Sequence, residues 1–205
     1  ERVAAQHSNQ LFNRVSGAWV SRGNGQESLV SLRSPVLTGA GSCGAFMTAE
    51  DGISMRSPGF CNVNQLFDAN LLHAGRVEVL KGPGAVVFGS NALHGIINVV
   101  TRSVDTTPNQ IRVEAGSRDY YRVSASGAVS SGIALSAQTS QYGGYQDASG
   151  YDQQKATLRI DQEWGSWRVD GALEGSKLDQ ETAGYIRGYE AYEDDQARKE
   201  NPNPE

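Results

Sequence analysis

The sequence has few of the residues that would indicate catalysis, a metal site or a membrane-spanning helix. Its two cysteines and three histidines form no CxxC or Cys/His cluster, so we expect neither a zinc site nor a bound cofactor. No apolar run approaches the roughly 20 residues that a spanning helix needs. His7, His73 and His94 lie far apart and accompany no nucleophile motif, so a catalytic triad is not expected.

Positive charge is also sparse. The formal net charge is −5, and the 18 basic residues are scattered without a Lys/Arg run or stripe, so nucleic-acid binding is not expected. No signal peptide opens the sequence, and its first residue is Glu1 rather than Met. We therefore expect a sequence that is trimmed or partial.

Glycine, in contrast, is abundant, with 24 residues in a chain of 205, which suits a chain rich in turns and strands. Up to about residue 104, short apolar runs alternate with loop signals. Asp51-Gly52 between two apolar runs predicts a hairpin, and Asn64 can cap a short helix over residues 65–72. Residues 76–80 and 96–101 are expected to be strands. This region predicts a small α/β globule.

From about residue 107 the sequence changes to strict alternation. Five consecutive runs of roughly ten residues have one apolar and one polar face, which is typical of outer-membrane barrel strands. In one run, Lys155, Thr157, Arg159, Asp161 and Glu163 oppose Ala156, Leu158, Ile160, Gln162 and Trp164. We expect antiparallel strands in sequence order, with these side chains facing the lumen: Arg112, Arg122, Lys155, Arg159, Arg168 and Glu174.

A soluble β-sandwich also alternates and is the main alternative for this half. It would place Leu135, Leu158 and Leu173 together in a closed core. Two features favour the barrel. The apolar faces carry many small residues, whereas a sandwich core needs large interdigitating ones. Trp164 and Trp167 bracket a tight Gly165-Ser166 turn, where an interfacial aromatic girdle would lie.

A long motif then indicates a family. Residues 76–101 read RVEVLKGPGAVVFGSNALHGIINVVT, which closely resembles the plug signature of TonB-dependent outer-membrane receptors, IEVLRGP, then LYG, then GGVINIVT. Upstream, residues 32–34 resemble the family's IRG element and residues 50–53 its DGV/DGI element. Three residues depart from the pattern: Lys81 replaces Arg, Phe88 replaces Tyr, and His94 replaces the first Gly of a pair.

The resemblance implies an α+β plug domain over residues 1–106, with an incomplete N-terminus, followed by antiparallel transmembrane β-barrel strands over residues 107–205. About five of the family's 22 strands are present, so we expect a fragment. The segment carrying the TonB box, expected before the plug, is absent.

The family's function is active transport in the bacterial outer membrane rather than catalysis. Its partners are the energy-transducing TonB complex, outer-membrane lipid and an extracellular small molecule. An iron-siderophore is the family's commonest ligand, with cobalamin, other metal chelates and carbohydrates as alternatives. From other classes, the rivals are a passive porin-like channel, a soluble periplasmic binding module and a surface enzyme.

The resemblance also suggests site residues. In the family, charges at the positions of Arg33 and Lys81 pair with barrel-wall carboxylates and hold the plug, and Glu78 lies on the same strand as Lys81. The alternative is ordinary surface charge. The stretches matching the plug's outward apex contain Arg56, Phe60 and Asn62. Arg56 and Phe60 suit an anionic or aromatic ligand by charge and stacking, or have a structural role.

The two cysteines give the first testable prediction. Cys43 and Cys61 flank the predicted hairpin in Gly/Pro-rich loop sequence, and the periplasm is oxidising, so we expect a disulfide rather than two free thiols. Closing this loop would stabilise the chain by about 3 kcal/mol in the chain-entropy model. A sulfur–sulfur distance near about 2.05 Å in an experimental structure would confirm the bond, and Cα atoms more than about 7 Å apart would exclude it.

Overall fold

The computed structural model describes residues 5–23, 25–34, 46–55, 65–89 and 92–202. The chain divides into two compact units, Glu1–Ser103 and Val104–Glu205. The assignment of residues 1–106 to a plug domain and of residues 107–205 to a barrel stays a prediction. Within the described ranges, no helix is long and apolar enough to cross a membrane.

The first unit contains short helices and two small sheets. Its elements are α1 (Ser8–Phe12), β1 (Ala18–Arg22), β2 (Ser28–Leu32), β3 (Phe46–Glu50), β4 (Ile53–Ser54), a 3₁₀ turn (Gln65–Phe67), β5 (Ala74–Lys81), α2 (Ala85–Phe88) and β6 (Gly95–Thr101). Both predicted strands are confirmed, because residues 76–80 lie within β5 and residues 96–101 within β6.

The helix predicted over residues 65–72 is wrong in extent. Only Gln65–Phe67 is helical, as a 3₁₀ turn, and Asn64 lies outside the described residues. The backbone then turns, with Leu71 N donating to Ala69 O and His73 N to Asn70 O. The apolar spacing still marks residues that meet the core, since Leu66 is a buried member of the core cluster and Leu71 packs against that cluster. A segment this short gains little from helix formation, so packing decides its backbone.

The sheet formed by β3–β6 has the order β4-β3-β6-β5. β3 pairs in parallel with β6, while β4 and β5 pair antiparallel with their neighbours. The predicted hairpin at Asp51-Gly52 is confirmed. Both residues have positive φ, 46° and 81°, as a two-residue type I′ turn requires. The Asp51 carboxylate accepts hydrogen bonds from the Thr101 amide at 2.9 Å and its hydroxyl at 2.5 Å.

Apolar residues cover both faces of this sheet, because side chains alternate along a strand. On one face, a cluster joins the sheet to α1 and the β1–β2 hairpin; its buried members are Phe12, Ala18, Val20, Val30, Leu32, Phe46, Leu66 and Ile97. On the other face, Met47, Ala49, Ala92 and Ile96 form a smaller cluster. Burying one such large side chain is worth about 1.5–3 kcal/mol, so these clusters hold the first unit together.

The second unit is one five-stranded antiparallel sheet. A 3₁₀ turn (Val104–Thr106) precedes β7 (Gln110–Ala115), β8 (Tyr121–Ser130), β9 (Ile133–Tyr142), β10 (Tyr151–Trp164) and β11 (Trp167–Gln180). The order is β11-β10-β9-β8-β7, so the prediction that each strand pairs only with its sequence neighbours is confirmed. The β8–β9 and β10–β11 connections are two residues each, and the β9–β10 connection spans residues 143–150.

Candidate functional site

The five-stranded sheet has one polar face on which the charged side chains gather. Strand register places directly opposed residues on the same face, and one row across four strands runs Glu114, Arg122, Ser140, Gln153. The six residues predicted to share a face do so: Arg112, Arg122, Lys155, Arg159, Arg168 and Glu174.

Several side chains on this polar face are buried, and several of its charged groups form ion pairs. Arg122, only 6% exposed, lies 2.5 Å from Glu114. Arg159 lies 2.6 Å from Asp170. Removing a charge from water is costly unless it is paired, so these ion pairs lower the cost of burying charge on this face.

The opposite face is apolar and exposed. Ile111, Val113 and Leu173 are each more than 70% exposed. Leu158 pairs laterally with Leu135 on β9 and with Leu173 on β11 in one continuous sheet, rather than meeting them in a closed core. The β-sandwich alternative is therefore wrong. This arrangement is the reverse of a soluble sheet, and a contiguous exposed apolar face marks contact with an apolar partner or lipid.

Aromatic residues lie at both ends of the sheet. Trp164 and Trp167 pair across the two-residue turn and are 60% and 78% exposed. At the other end, the rings of Tyr142 and Tyr151 are 5.8 Å apart. Aromatic residues prefer the boundary between an apolar medium and water. The two tryptophans lie on the apolar face at one end of the sheet, whereas Tyr142 and Tyr151 lie on the polar face at the other end.

In the first unit, Arg33 and Lys81 come together in what we call the basic corner, formed by Gly17, Arg33 and Lys81. Arg33 follows β2 in a left-handed conformation, with φ of 51°, and its amide donates to the Gly17 carbonyl at 3.0 Å. A Cβ on residue 17 would lie 3.0 Å from Arg33 Nε and 3.4 Å from Lys81 Cδ. Both cationic side chains therefore run past the bare backbone of Gly17.

The basic corner carries two like charges. Lys81 Nζ donates to the Ser16 carbonyl at 2.8 Å. This hydrogen bond uses one ammonium proton but does not neutralise the positive charge of Lys81. Among the described residues, neither Arg33 nor Lys81 forms an ion pair. Two neighbouring cations repel each other and attract anions.

Glu78 does not join this corner. It lies three residues from Lys81 on β5, and an odd separation places the two side chains on opposite faces of a strand. Its carboxylate accepts from Arg76 Nε at 2.7 Å and from Asn98 Nδ2 at 3.1 Å. The hydrogen bond from Arg76, followed by that from Asn98, lowers the pKa of Glu78 below its usual value.

Asn98 extends this network, because its side-chain oxygen accepts from the Gly52 amide at 2.9 Å. This role of Asn98 and the role of Gly17 could not be predicted from the sequence, since each depends on a residue distant in the chain. The predicted ligand contacts Arg56, Phe60 and Asn62, and the cysteines Cys43 and Cys61, lie outside the described residues. Within the described part, no group of three His, Cys, Asp or Glu side chains is arranged to hold a metal ion.

Comparisons with known proteins agree with this architecture. Residues 1–96 match the family model "TonB-dependent Receptor Plug Domain". The vitamin B12 transporter BtuB of Vibrio vulnificus is 32% identical over 77 residues, which cover 38% of this chain and 12% of BtuB. BtuB of Vibrio cholerae is 26% identical over 180 residues, 85% of this chain and 28% of that protein. The chain thus spans under a third of these relatives.

Two solved structures have the same fold. The ferric citrate transporter FecA matches over 99% of this chain and 33% of FecA, with a TM-score of 0.71 and 16% identity. The ferric yersiniabactin receptor FyuA from Yersinia pestis matches over 83% of this chain and 29% of FyuA, with a TM-score of 0.62 and 23% identity. The class of protein is therefore a plug domain followed by antiparallel strands of the receptor-barrel type. Residues 1–96, just under half of the chain, are similar to the plug domain of the TonB-dependent receptors.

Proposed function

We propose that this chain is part of an outer-membrane transporter that takes up a scarce extracellular ligand with energy delivered through the TonB complex. One observation carries the proposal: a plug-domain signature, folded as β5-α2-β6, precedes in the same chain a sheet whose apolar face is exposed and whose polar face is partly buried. A passive porin-like channel has no use for a plug. The relatives are transporters and receptors rather than enzymes.

The physical requirement for energy supports active transport. The outer membrane holds neither ATP nor an ion gradient that could drive uptake. A plug that closes the lumen has to be held firmly and yet move when the transporter works. Ion pairs between plug and wall meet both needs, because they break without covalent chemistry.

For the ligand, we propose an iron-siderophore. Arg56 and Phe60 supply a cation and an aromatic ring, which suit an anionic or aromatic chelate by charge and stacking, and Asn62 would add a polar contact. The alternative is cobalamin, which is favoured by the relatives named as vitamin B12 transporters. A carbohydrate is a further alternative within the family.

An uptake experiment would test this function and separate the ligands. Cells lacking the receptor gene, complemented with the full-length receptor, would be given radiolabelled ferric citrate, ferric yersiniabactin or cyanocobalamin. We expect accumulation of one ligand class that requires both the receptor and TonB. Uptake that persists without TonB would show a passive channel, and receptor-dependent uptake of cobalamin alone would replace the siderophore proposal.

We propose further that the basic corner anchors the plug by pairing with barrel-wall carboxylates. In the full-length receptor, replacing both Arg33 and Lys81 with Ala should loosen the plug and raise passive leak of large solutes, while first contact between ligand and outer loops stays intact. Liposome swelling would measure the leak. Arg76→Ala is the matched control. Arg76 is an exposed cation on β5, the strand that carries Lys81, and it is already paired with Glu78.

The opposite result would place these residues elsewhere. Unchanged leak together with lost ligand binding in the Arg33/Lys81 double variant would mean that they line the ligand site. Unchanged leak and unchanged binding would leave them as ordinary surface charge. A leak in the Arg76→Ala control as large as that in the double variant would show that any loss of charge in the plug loosens it.

The proposal also places the exposed apolar face against lipid. Leu173, at the middle of β11, should not tolerate a charge, and Leu173→Lys should cost about 2–4 kcal/mol of folding free energy in a bilayer. Ala172→Lys is the control, because Ala172 pairs with Arg159 on the polar face. Folding yield into lipid vesicles, read from heat-modifiable gel mobility, should fall only for Leu173→Lys. Equal yields for both variants would contradict lipid contact at Leu173.

A further inference from the structure

His7 occupies an unusual position in the first unit. It is 2% exposed and is the N-cap of α1. Its Nε2 lies 2.9 Å from the Glu27 carbonyl oxygen, just before β2. Its Nδ1 lies 3.1 Å from the Asn9 amide nitrogen. The imidazole therefore joins the start of the helix to the β1–β2 hairpin.

These two partners determine which nitrogen carries the proton. A carbonyl oxygen can only accept, so Nε2 donates to Glu27, and Nδ1 is left to accept from the Asn9 amide. That amide is one of the N–H groups at the start of α1 that have no partner within the helix. Neutral His7 thus makes both hydrogen bonds at once.

The other end of α1 is held by contacts that do not titrate. Asn13 makes two hydrogen bonds to Val20 on β1, accepting from its amide at 2.7 Å and donating to its carbonyl at 3.1 Å. Phe12 is buried in the main core cluster. Gln26, just before β2, adds a weak contact to the first residues, since its Nε2 donates to the Gln6 carbonyl at a long 3.3 Å.

Protonation of His7 would break this arrangement. A proton on Nδ1 would make this nitrogen a donor that faces another donor, the Asn9 N–H. A hydrogen bond from Nδ1 to the Asn9 side-chain oxygen, 3.0 Å away, would replace the lost interaction only in part. The new charge would also be buried and would face Arg22 of β1. Glu27 contacts His7 through its backbone carbonyl, and the first turn of α1 has no acidic residue to offset the charge.

We propose that His7 is a pH-sensitive latch. In its neutral form it holds the start of α1 on the β1–β2 hairpin, and its protonation releases residues 5–10 while Phe12 and Asn13 stay in place as the hinge. The latch therefore controls how firmly residues 5–10, near the start of the plug-domain match, are held. It is a property of the first unit and does not require that the chain transport any particular ligand.

The direction of the pH dependence follows from the pKa of His7 in the closed state, in which the neutral imidazole is buried against the hairpin. Burial, and to a lesser degree the Arg22 charge, lower the pKa of His7, while the hydrogen bonds with Glu27 and Asn9 raise it; the net shift is downward from 6.5. The open state, whose imidazole is solvated, therefore binds the proton more readily. Opening should increase as the pH falls below about 6.5, by up to about tenfold per pH unit, and level off below the pKa of the closed state.

Hydrogen–deuterium exchange on the full-length receptor would test the latch. After correction for intrinsic exchange rates, protection of the Asn9 and Gln10 amides should fall between about pH 7.5 and pH 5, while the amides of β5 and β6 stay unchanged. His7→Gln should remove this pH dependence. His94→Gln, at the β5–β6 connection in the same unit, is the matched control and should retain it.

A measurement on the unmodified protein guards against a variant that fails to fold. Exchange of the His7 ring C2 proton, followed by mass spectrometry, reports its titration directly. We expect a pKa below 6.5 and a loss of Asn9 protection that begins above this pKa and levels off below it. Protection of residues 8–10 that is the same throughout this pH range would overturn the latch. So would a pH dependence that persists in His7→Gln.

Discussion

Strand register is the constraint on which the second unit depends. Because side chains alternate with a period of two, a slip of one residue in any strand would move its charges to the apolar face. The pairs between Arg122 and Glu114 and between Arg159 and Asp170 span neighbouring strands on the polar face. They form only in the observed register. The charged residues of the polar face therefore also help to specify how the strands align.

Backbone packing sets the corresponding limit in the first unit. Gly95 begins β6 with φ of 151°, and a Cβ there would lie 2.2 Å from the Leu80 carbonyl oxygen. Any other residue would push β6 away from β5. Gly17 plays a related part at the basic corner, where Arg33 and Lys81 pass over it. In both places a missing side chain lets two segments approach, and at the corner it also brings two positive charges side by side.

The sequence predicted the regular parts of this structure well. Alternation over ten residues identified the five strands and their polar face, and Asp51-Gly52 identified the hairpin. The prediction from sequence failed over residues 65–72, where apolar spacing indicates which residues are buried but does not determine the backbone conformation of so short a segment. The proximity of Arg33 to Lys81 could not be predicted, because it depends on how three distant segments meet at Gly17. The separation of Glu78 from Lys81 follows from their odd spacing along β5.

The parallel pairing of β3 with β6 has a consequence for how the chain acquires its structure. Phe46 pairs with Gly95, so the central strands of the four-stranded sheet meet only after a long intervening segment has been brought back. Closing such a loop costs entropy before the contacts that repay it can form. The strands β7–β11, in contrast, pair with immediate neighbours through local hairpins. The first unit is thus expected to fold more slowly than its small size suggests, with its apolar strands exposed for longer to proteases and to other chains.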